Sequence, residues 1–205
     1  MNPHFIFNSL NAIQYYLNEK GAERSEKYLI DFSKLIRMIF EYSRQRTVTL
    51  SQEIQLLESY LSLEKMRFGD KLSFSIYADA ELDVNRWKIP SLLLQTLVEN
   101  AVNHGIFHSL KPGFIEIKFI KQNAQTLEVI IEDNGVGIKK TQLIYQNAVN
   151  KNPSKSTDIL SNRIKLLNQM GEFLIHLETK DLESENQSGT SVCLSIHQSL
   201  NKITL

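Results

Sequence analysis

The chain has 205 residues, of which 42% are hydrophobic, and its 23 basic and 23 acidic side chains leave no net charge. This length suffices for one large or two small domains. The balanced charge lacks the basic footprint of a nucleic-acid-binding protein. A single cysteine, Cys193, excludes an internal disulfide and favours a reducing compartment. We therefore expect a cytoplasmic chain with no nucleic-acid partner.

The N-terminus has neither the basic region nor the apolar run of a signal peptide. No apolar stretch approaches the roughly 20 residues that a spanning helix needs. The chain starts abruptly at Met1-Asn2-Pro3-His4, from which we expect it to be the soluble part of a longer protein.

The first seventy residues have the apolar periodicity of helices. In the first helix one stripe is apolar and the opposite face is polar, and His4 lies on the polar face, where it would be accessible. The apolar stripe consists of Ile6, Leu10, Ile13 and Leu17.

Two further helices are predicted at about residues 25–46 and 51–68, with Thr49 or Ser51 as the N-cap of the second. Their apolar faces are wider than one partner helix would cover. This favours a homodimeric helical bundle. The alternative is that these helices cover a sheet formed by the second half of the chain.

Strand-like segments dominate the second half. A strand is predicted at 71–77, then a helix at 91–104 that Pro90 opens and Gly105 ends as its C-terminal cap. The remaining elements are a hairpin of residues 114–120 and 126–133, a polar loop at 139–157, a helix from about Leu160 to Gly171, and strands at 173–179 and 191–197. This order predicts an α+β fold, a mixed sheet with helices on one face.

Four polar residues cluster near the end of the otherwise apolar helix 91–104, namely Glu99, Asn100, Asn103 and His104. An asparagine in a largely buried helix is unfavourable unless its amide finds partners. Two interpretations stay open. The cluster is a satisfied core or a solvated helix end, or it places a carboxamide oxygen to ligate a hard cation such as Mg²⁺.

Asp133 closes an apolar strand and is followed by Gly135 and Gly137. Alone, an aspartate followed by two glycines at this spacing more often just closes a turn. Together with the helix that carries Asn100 and the turn at Gly189-Thr190, it matches what one ATP site needs. The carboxylate would accept a hydrogen bond from the adenine amine, and the glycines would let the backbone approach the base. The site is neither a P-loop nor a Rossmann fingerprint, because both glycine patterns are missing.

Residues 2–11 closely resemble the phosphoacceptor motif of the LytS-type sensor histidine kinases. Residues 93–105 resemble the N box of that family, and residues 133–137 resemble its first glycine box. Residues 63–68 look like its link between domains. The resemblance covers nearly the whole chain.

The resemblance implies two domains, a helical dimerisation and histidine-phosphotransfer domain at 1–68 and an ATP-binding catalytic domain at 71–205 with the α/β sandwich of the GHKL (Bergerat) ATPases. It implies that ATP phosphorylates His4 and that Asn100 binds Mg²⁺. The implied ATP-binding residues are Asn100, Asn103, His104, Asp133, Gly135, Gly137, Arg163, Gly189 and Thr190.

The implied function is ATP-dependent autophosphorylation of His4, followed by phosphoryl transfer to an aspartate of a response regulator receiver domain, of the LytTR type by the same resemblance. The full-length protein would be anchored in the inner or plasma membrane through segments upstream of Met1. The alternative is a dimeric ATP-binding scaffold that signals by conformation. A third hypothesis, an ATP hydrolase, is disfavoured by Thr96, which stands where hydrolysing relatives place a glutamate.

Two departures from the family pattern bear on the mechanism. Asp158 stands where a glycine usually joins the lid to the next helix, which leaves the alternative of a scaffold open. Phe5 stands where many histidine kinases have an acidic base directly after the histidine, so the proton acceptor must come from elsewhere. We assign that role to Glu99.

Overall fold

The computed structural model describes residues 5, 7, 9–14, 21–107, 109, 111–138, 154–182 and 188–199. Contacts between residues group the chain into two units. The first is Met1–Leu72 with Asn85–Gln95, and the second is Ser73–Val84 with Thr96–Leu205. The functional division at residues 68 and 71 stays a prediction. Among the described helices, none is both long and apolar enough to cross a membrane.

Helical residues 5, 7 and 9–14 begin the first unit. Phe5 is buried against the rings of Phe32 and Tyr60, at centroid distances of 6.1 and 5.3 Å. The buried stripe therefore consists of Phe5, Ser9 and Ala12, with the i, i+4, i+7 spacing of one helix face. The predicted stripe was wrong at Leu10, which is 52% exposed. The observed stripe is displaced by one residue from the predicted one. Phe5 lies on the buried face because it packs against Phe32 and Tyr60.

Helix α1, Ala22–Ser43, starts and ends about three residues earlier than its apolar pattern predicted. The residues at its buried centre repeat every seven positions, namely Tyr28, Leu35 and Tyr42. Phe40 is 64% exposed, and Leu29 and Ile30 are about half exposed. Part of the wide apolar face is thus uncovered within one chain.

Helix α2, Leu50–Phe68, begins where Thr49 and Gln52 form a capping box. The Thr49 hydroxyl accepts the Gln52 N–H at 3.2 Å, and the Gln52 side chain accepts the Thr49 N–H at 2.8 Å. Of the two predicted caps, the structure selects Thr49. Reciprocal bonds of this kind satisfy two amide groups that have no partner within the helix.

Replacing Thr49 by Ala is expected to lower the free energy of unfolding by about 1 kcal/mol, because the Gln52 amide loses its acceptor. Urea denaturation measures the change. Ser51→Ala is the matched control, and it should shift stability by less than about 0.5 kcal/mol. Equal effects of the two substitutions would contradict the assignment of the cap to Thr49.

Two short strands that the sequence did not predict complete the first unit. Strand β1, Thr47–Thr49, pairs antiparallel with β3, Lys88–Pro90, and Val48 lies opposite Ile89. Val48 and Ile89 are both buried. Three-residue strands carry too little periodicity to be recognised in a sequence.

The second unit is built on a five-stranded sheet. Its strands are β2, Leu72–Ala78; β4, Gly113–Lys121; β5, Thr126–Asp133; β6, Phe173–Asp181; and β7, Thr190–Gln198. Their order across the sheet is β2-β4-β5-β7-β6. The hairpin of β4 and β5 is confirmed, and β5–β7 and β6–β7 are also antiparallel. Buried positions alternate along β5, which places Asp133 in line with Leu127, Val129 and Ile131 on the covered face. The α+β prediction is confirmed.

Helix α3, Leu93–Asn100, continues without a break into a π-helical segment, Ala101–Ile106. The prediction that Gly105 caps the helix was wrong, because Gly105 lies inside this segment and does not adopt a positive φ. The Phe107 N–H donates to the Val102 carbonyl at 2.9 Å, five residues back. π-helical turns are rare and occur frequently at functional sites.

Helix α4, Ser154–Met170, starts before the predicted position, so residues 154–157 are helical rather than part of a loop. Leu160 and Ile164 are buried, and Gly171 follows the helix with φ of 75°. Residues 139–153 and the side chain of Asp158 lie outside the described residues. The predicted polar loop, which the family resemblance implies is a lid over the nucleotide, therefore stays a prediction.

Candidate nucleotide-binding site

Asp133 is the last residue of β5, and only 6% of its surface is exposed. Its Oδ1 accepts the backbone N–H of Gly135 at 2.9 Å. Thr190, opposite Asp133 on β7, donates both its backbone N–H and its hydroxyl to the same carboxylate. A buried acceptor thus ends the strand, and donors from two elements hold it.

Two glycines pack against each other beside this carboxylate. A Cβ on Gly105 would lie 2.5 Å from Asp133 Oδ1 and 2.8 Å from its Cγ. A Cβ on Gly135 would overlap the backbone of Gly105, and the Val136 N–H donates to the Gly105 carbonyl at 3.2 Å. The π-helical segment and the loop after β5 can approach this closely only because both residues lack a side chain.

Gly137 and Gly189 have positive φ values, of 80° and 154°. A Cβ on Gly189 would overlap the carbonyl of Asp133, and one on Gly137 would overlap the carboxylate of Asp181. Oδ1 of Asp181 also accepts the Ile138 N–H at 3.1 Å. The loop 134–138 is therefore fastened to Gly105 on one side and to Asp181 on the other.

Sequence reasoning missed Asp181 and misassigned Gly105. Asp181 ends β6 opposite Thr190, but it stands in a polar run that the sequence predicts as a turn. The strand predicted at 173–179 stops short of Asp181, so no local pattern indicated its role. Gly105 follows a helix pattern at the place where a cap is expected, so its contact with Asp133 had no signal in the sequence.

Burial raises the pKa of the Asp133 carboxyl to about 6 from 3.8. The hydrogen bonds from Gly135 and Thr190 act in the opposite direction, because they stabilise the charged form, and the charge of Asp181 raises the pKa further. Asp133 is therefore mostly ionised at neutral pH, and its lone pairs are available to a donor.

The raised pKa has a consequence for stability. Between about pH 4 and 6 the folded state binds a proton that the unfolded state does not, so Asp133 destabilises the fold above pH 6 and this effect is relieved as the pH falls. From this group we expect the free energy of unfolding to rise by about 1 kcal/mol on going from pH 7 to pH 5. Urea denaturation of wild type and Asp133→Ala at both pH values isolates the effect. An identical pH dependence in the two proteins would contradict the raised pKa.

The N-box residues lie on α3 and the π-helical segment. Glu99 is buried, with 8% of its surface exposed, and Asn100 and Asn103 are half-buried. His104 is part of the π-helical backbone, and its side chain lies outside the described residues. The structure thus brings Asp133, Gly135, Gly137, Gly189 and Thr190 together. The binding roles of the N-box residues stay predictions.

His4 lies outside the described residues, and Arg163 is half-buried on α4. Their predicted roles, phosphoacceptor and phosphate ligand, therefore stay predictions. Within the described ranges, no group of three or more His, Cys, Asp or Glu side chains is placed to hold a metal ion.

Comparisons with known proteins identify the family of this chain. The family model "Histidine kinase" matches residues 1–72. The sensor protein LytS of Staphylococcus haemolyticus is 31% identical over 185 residues, which cover 89% of this chain and 31% of LytS. The uncharacterised protein YwpD of Bacillus subtilis is 31% identical over 203 residues, 96% of this chain and 67% of YwpD. The chain belongs to the LytS-type sensor histidine kinases.

This LytS-type chain spans about a third of the S. haemolyticus relative, and about a quarter of the sensor histidine kinase/phosphatase LytS of Staphylococcus aureus, to which it is 34% identical over 143 residues. Among solved structures, the histidine kinase domain of the Erythrobacter litoralis blue-light activated histidine kinase covers 83% of the LytS-type chain with a TM-score of 0.53 and 15% identity. That match covers 75% of the solved domain. The catalytic domain of histidine kinase ThkA covers 74%, with a TM-score of 0.50 and 14% identity, and 96% of that domain is matched. These likenesses show the α+β fold of histidine kinase catalytic domains, as predicted.

Proposed function

We propose that this chain is the kinase core of a two-component sensor and that it transfers the γ-phosphoryl group of ATP to His4. The observation that carries the proposal is the buried carboxylate of Asp133 in its cradle of glycines, in a chain whose relatives are sensor histidine kinases. In its ionised state Asp133 has lone pairs to accept a hydrogen bond from the exocyclic amine of adenine. Gly135, Gly137, Gly189 and Thr190 shape the base pocket around it.

The remaining contacts are assigned to the phosphate end of the nucleotide. Asn100, Asn103 and His104 follow one another on α3 and the π-helical segment, and Arg163 supplies a positive charge from α4. Asn100 offers a neutral carboxamide oxygen, which suits Mg²⁺ as a single protein ligand, because this ion keeps phosphate oxygens and water in most of its shell. Bound there, Mg²⁺ would neutralise charge on the phosphates.

In the chemical step the neutral imidazole of His4 acts through Nε2. The N–P bond forms as the bond between the γ-phosphorus and the bridging oxygen breaks, and ADP leaves with that electron pair. The imidazole then loses its Nδ1 proton to a base. Glu99 is our candidate because Phe5, the neighbour of His4, is apolar and buried against Phe32 and Tyr60. The phosphoryl group next passes to an aspartate of a receiver domain, which we take to be of the LytTR-associated type.

The uncovered apolar surface of the helical unit supports assembly as a homodimer. Phe7, Leu10 and Phe40 are 66%, 52% and 64% exposed, and large apolar side chains left exposed on helices favour burial against a partner. Segments upstream of Met1 would anchor the full-length protein in the membrane, as we infer from the relatives that are named sensors.

Incubation with γ-labelled ATP and Mg²⁺ tests the proposal. The kinase hypothesis predicts a protein-bound label that is labile in acid and stable in base. Nucleotide binding without label would favour the conformational scaffold that the residue Asp158 leaves open. Release of labelled phosphate without protein-bound label would favour a hydrolase.

A further inference from the structure

The carboxylate of Glu53 is fully buried in the first turn of α2. A buried ionised group needs hydrogen-bond donors in place of water. The two oxygens of Glu53 accept the backbone N–H groups of Leu92 at 3.3 Å and of Leu94 at 3.1 Å. Glu53 thus caps the start of α3 from a position 39 residues earlier in the chain.

A cap from so far away is unusual. The first amides of a helix have no partner within it, and a nearby Ser, Thr, Asp or Asn normally accepts one of them. Here the nearby serine is engaged elsewhere, since the Ser91 hydroxyl donates to the Tyr42 carbonyl at 2.5 Å and its N–H donates to the Arg46 carbonyl at 3.2 Å. A negative charge at the N-terminus of α3 also complements the helix dipole. Residues from the end of α1 and the start of α2 therefore define where α3 begins.

Leu92 has φ of 56°, the one positive value at a non-glycine residue in the part of the chain that the structure describes. This conformation is unfavourable for an L-residue with a side chain. Strained residues of this kind persist where their surroundings hold them. The bond to Glu53 on one side and the pairing of Val48 with Ile89 on the other supply that restraint.

We propose that Glu53 is a positioning residue for nucleotide binding and acts through α3. The bonds to Glu53 set the start of this helix, and Asn100 ends it about two turns later. Helix α3 begins in the first unit and ends in the second, because the boundary between the units falls between Gln95 and Thr96. Loss of these bonds would therefore shift the N-terminal end of the same helix that carries Asn100. This inference rests on the proposed function, because it assumes that Asn100 contacts MgATP or MgADP.

Variants at two glutamates of α2 test the proposal. Glu53→Gln keeps one oxygen acceptor but turns an amide group toward the second N–H, whereas Glu58→Gln changes an exposed carboxylate of the same helix. We expect Glu53→Gln to weaken MgADP binding roughly tenfold in calorimetry. The Leu94 amide should also exchange its hydrogen faster. Glu58→Gln should match wild type in both measurements. Glu53→Ala should weaken binding further.

A measurement on the wild type keeps the proposal testable if the Glu53 variants do not fold. If Glu53 influences nucleotide binding, the nucleotide must in turn influence the start of α3, because coupling between two sites is reciprocal. Saturating MgADP should therefore slow hydrogen exchange at the Leu92 and Leu94 amides. The effect should be larger there than at Leu61, in the middle of α2. Wild-type affinity in folded Glu53→Gln with an unprotected Leu94 amide would overturn the proposal. Bound MgADP without slowing at Leu92 and Leu94 would also overturn it. Failure of the wild type to bind MgADP overturns the proposed function itself.

Discussion

His4→Gln is expected to reduce acid-labile labelling from γ-labelled ATP to background. Glutamine keeps the size and polarity of the side chain but has no nitrogen with a free lone pair for attack on phosphorus. Binding of MgADP should be unchanged, because the base-binding residues Asp133, Gly135 and Thr190 belong to the sheet unit. Labelling and calorimetry on the same preparation measure both quantities.

His176→Gln is the matched control for this experiment. His176 is an exposed residue of β6, beside Glu178, and has no role in the proposed reaction. The His176→Gln variant should keep the full acid-labile labelling of the wild type. Retention of the acid-labile label in His4→Gln would show that another residue accepts the phosphoryl group. Loss of MgADP binding in His4→Gln would show that the substitution acts on the fold rather than on the chemistry.

Gly135→Ala is expected to lower the free energy of unfolding by about 3 kcal/mol, because the new methyl group overlaps the backbone of Gly105. The overlapping group is backbone and cannot move aside as a flexible side chain would. The Gly105 carbonyl is held because it accepts the Val136 N–H and belongs to the π-helical segment. Separation of the two segments displaces the amide of Gly135 from Asp133. Affinity for MgADP should therefore fall by at least about tenfold.

Gly171→Ala provides the control for this glycine. At Gly171, φ is 75° and a Cβ meets nothing within 4 Å, so the substitution brings backbone strain without overlap. We expect a loss of about 1 kcal/mol and unchanged nucleotide affinity. Denaturation and calorimetry compare the two variants. Wild-type affinity in Gly135→Ala would contradict the role of the close contact between Gly105 and Gly135.

The amino-acid pattern was sufficient to predict the order and type of most of the longer elements. Alternation of apolar residues marks β5 as a strand with one covered face, and the apolar repeat marks α2 as a helix. Thr49 was one of the two N-caps predicted for α2, and its capping box with Gln52 in the structure decides between them. These features are local, since periodicity, caps and turns depend on residues within a few positions of each other.

The candidate site was also partly predictable, because its residues recur at family-specific spacings. Asp133, Gly135, Gly137 and Thr190 were selected from the sequence, and the structure brings them together. The position of Asp133 at the end of an apolar strand implies burial, and burial implies a raised pKa. The magnitude of that shift depends on Thr190 and Asp181, which only the pairing of β5, β7 and β6 places nearby.

Tertiary structure alone decided the roles of Gly105, Asp181 and Glu53. Gly105 has the local context of a helix cap, but a continuing π-helical segment puts it against Asp133. Asp181 has the context of a turn, and Glu53 that of an ordinary first-turn acid in α2. Each role arises from contact with residues at least 28 positions away along the chain. Local propensity determines which element forms, whereas these contacts depend on how the folded elements pack, and packing is a property of the whole chain.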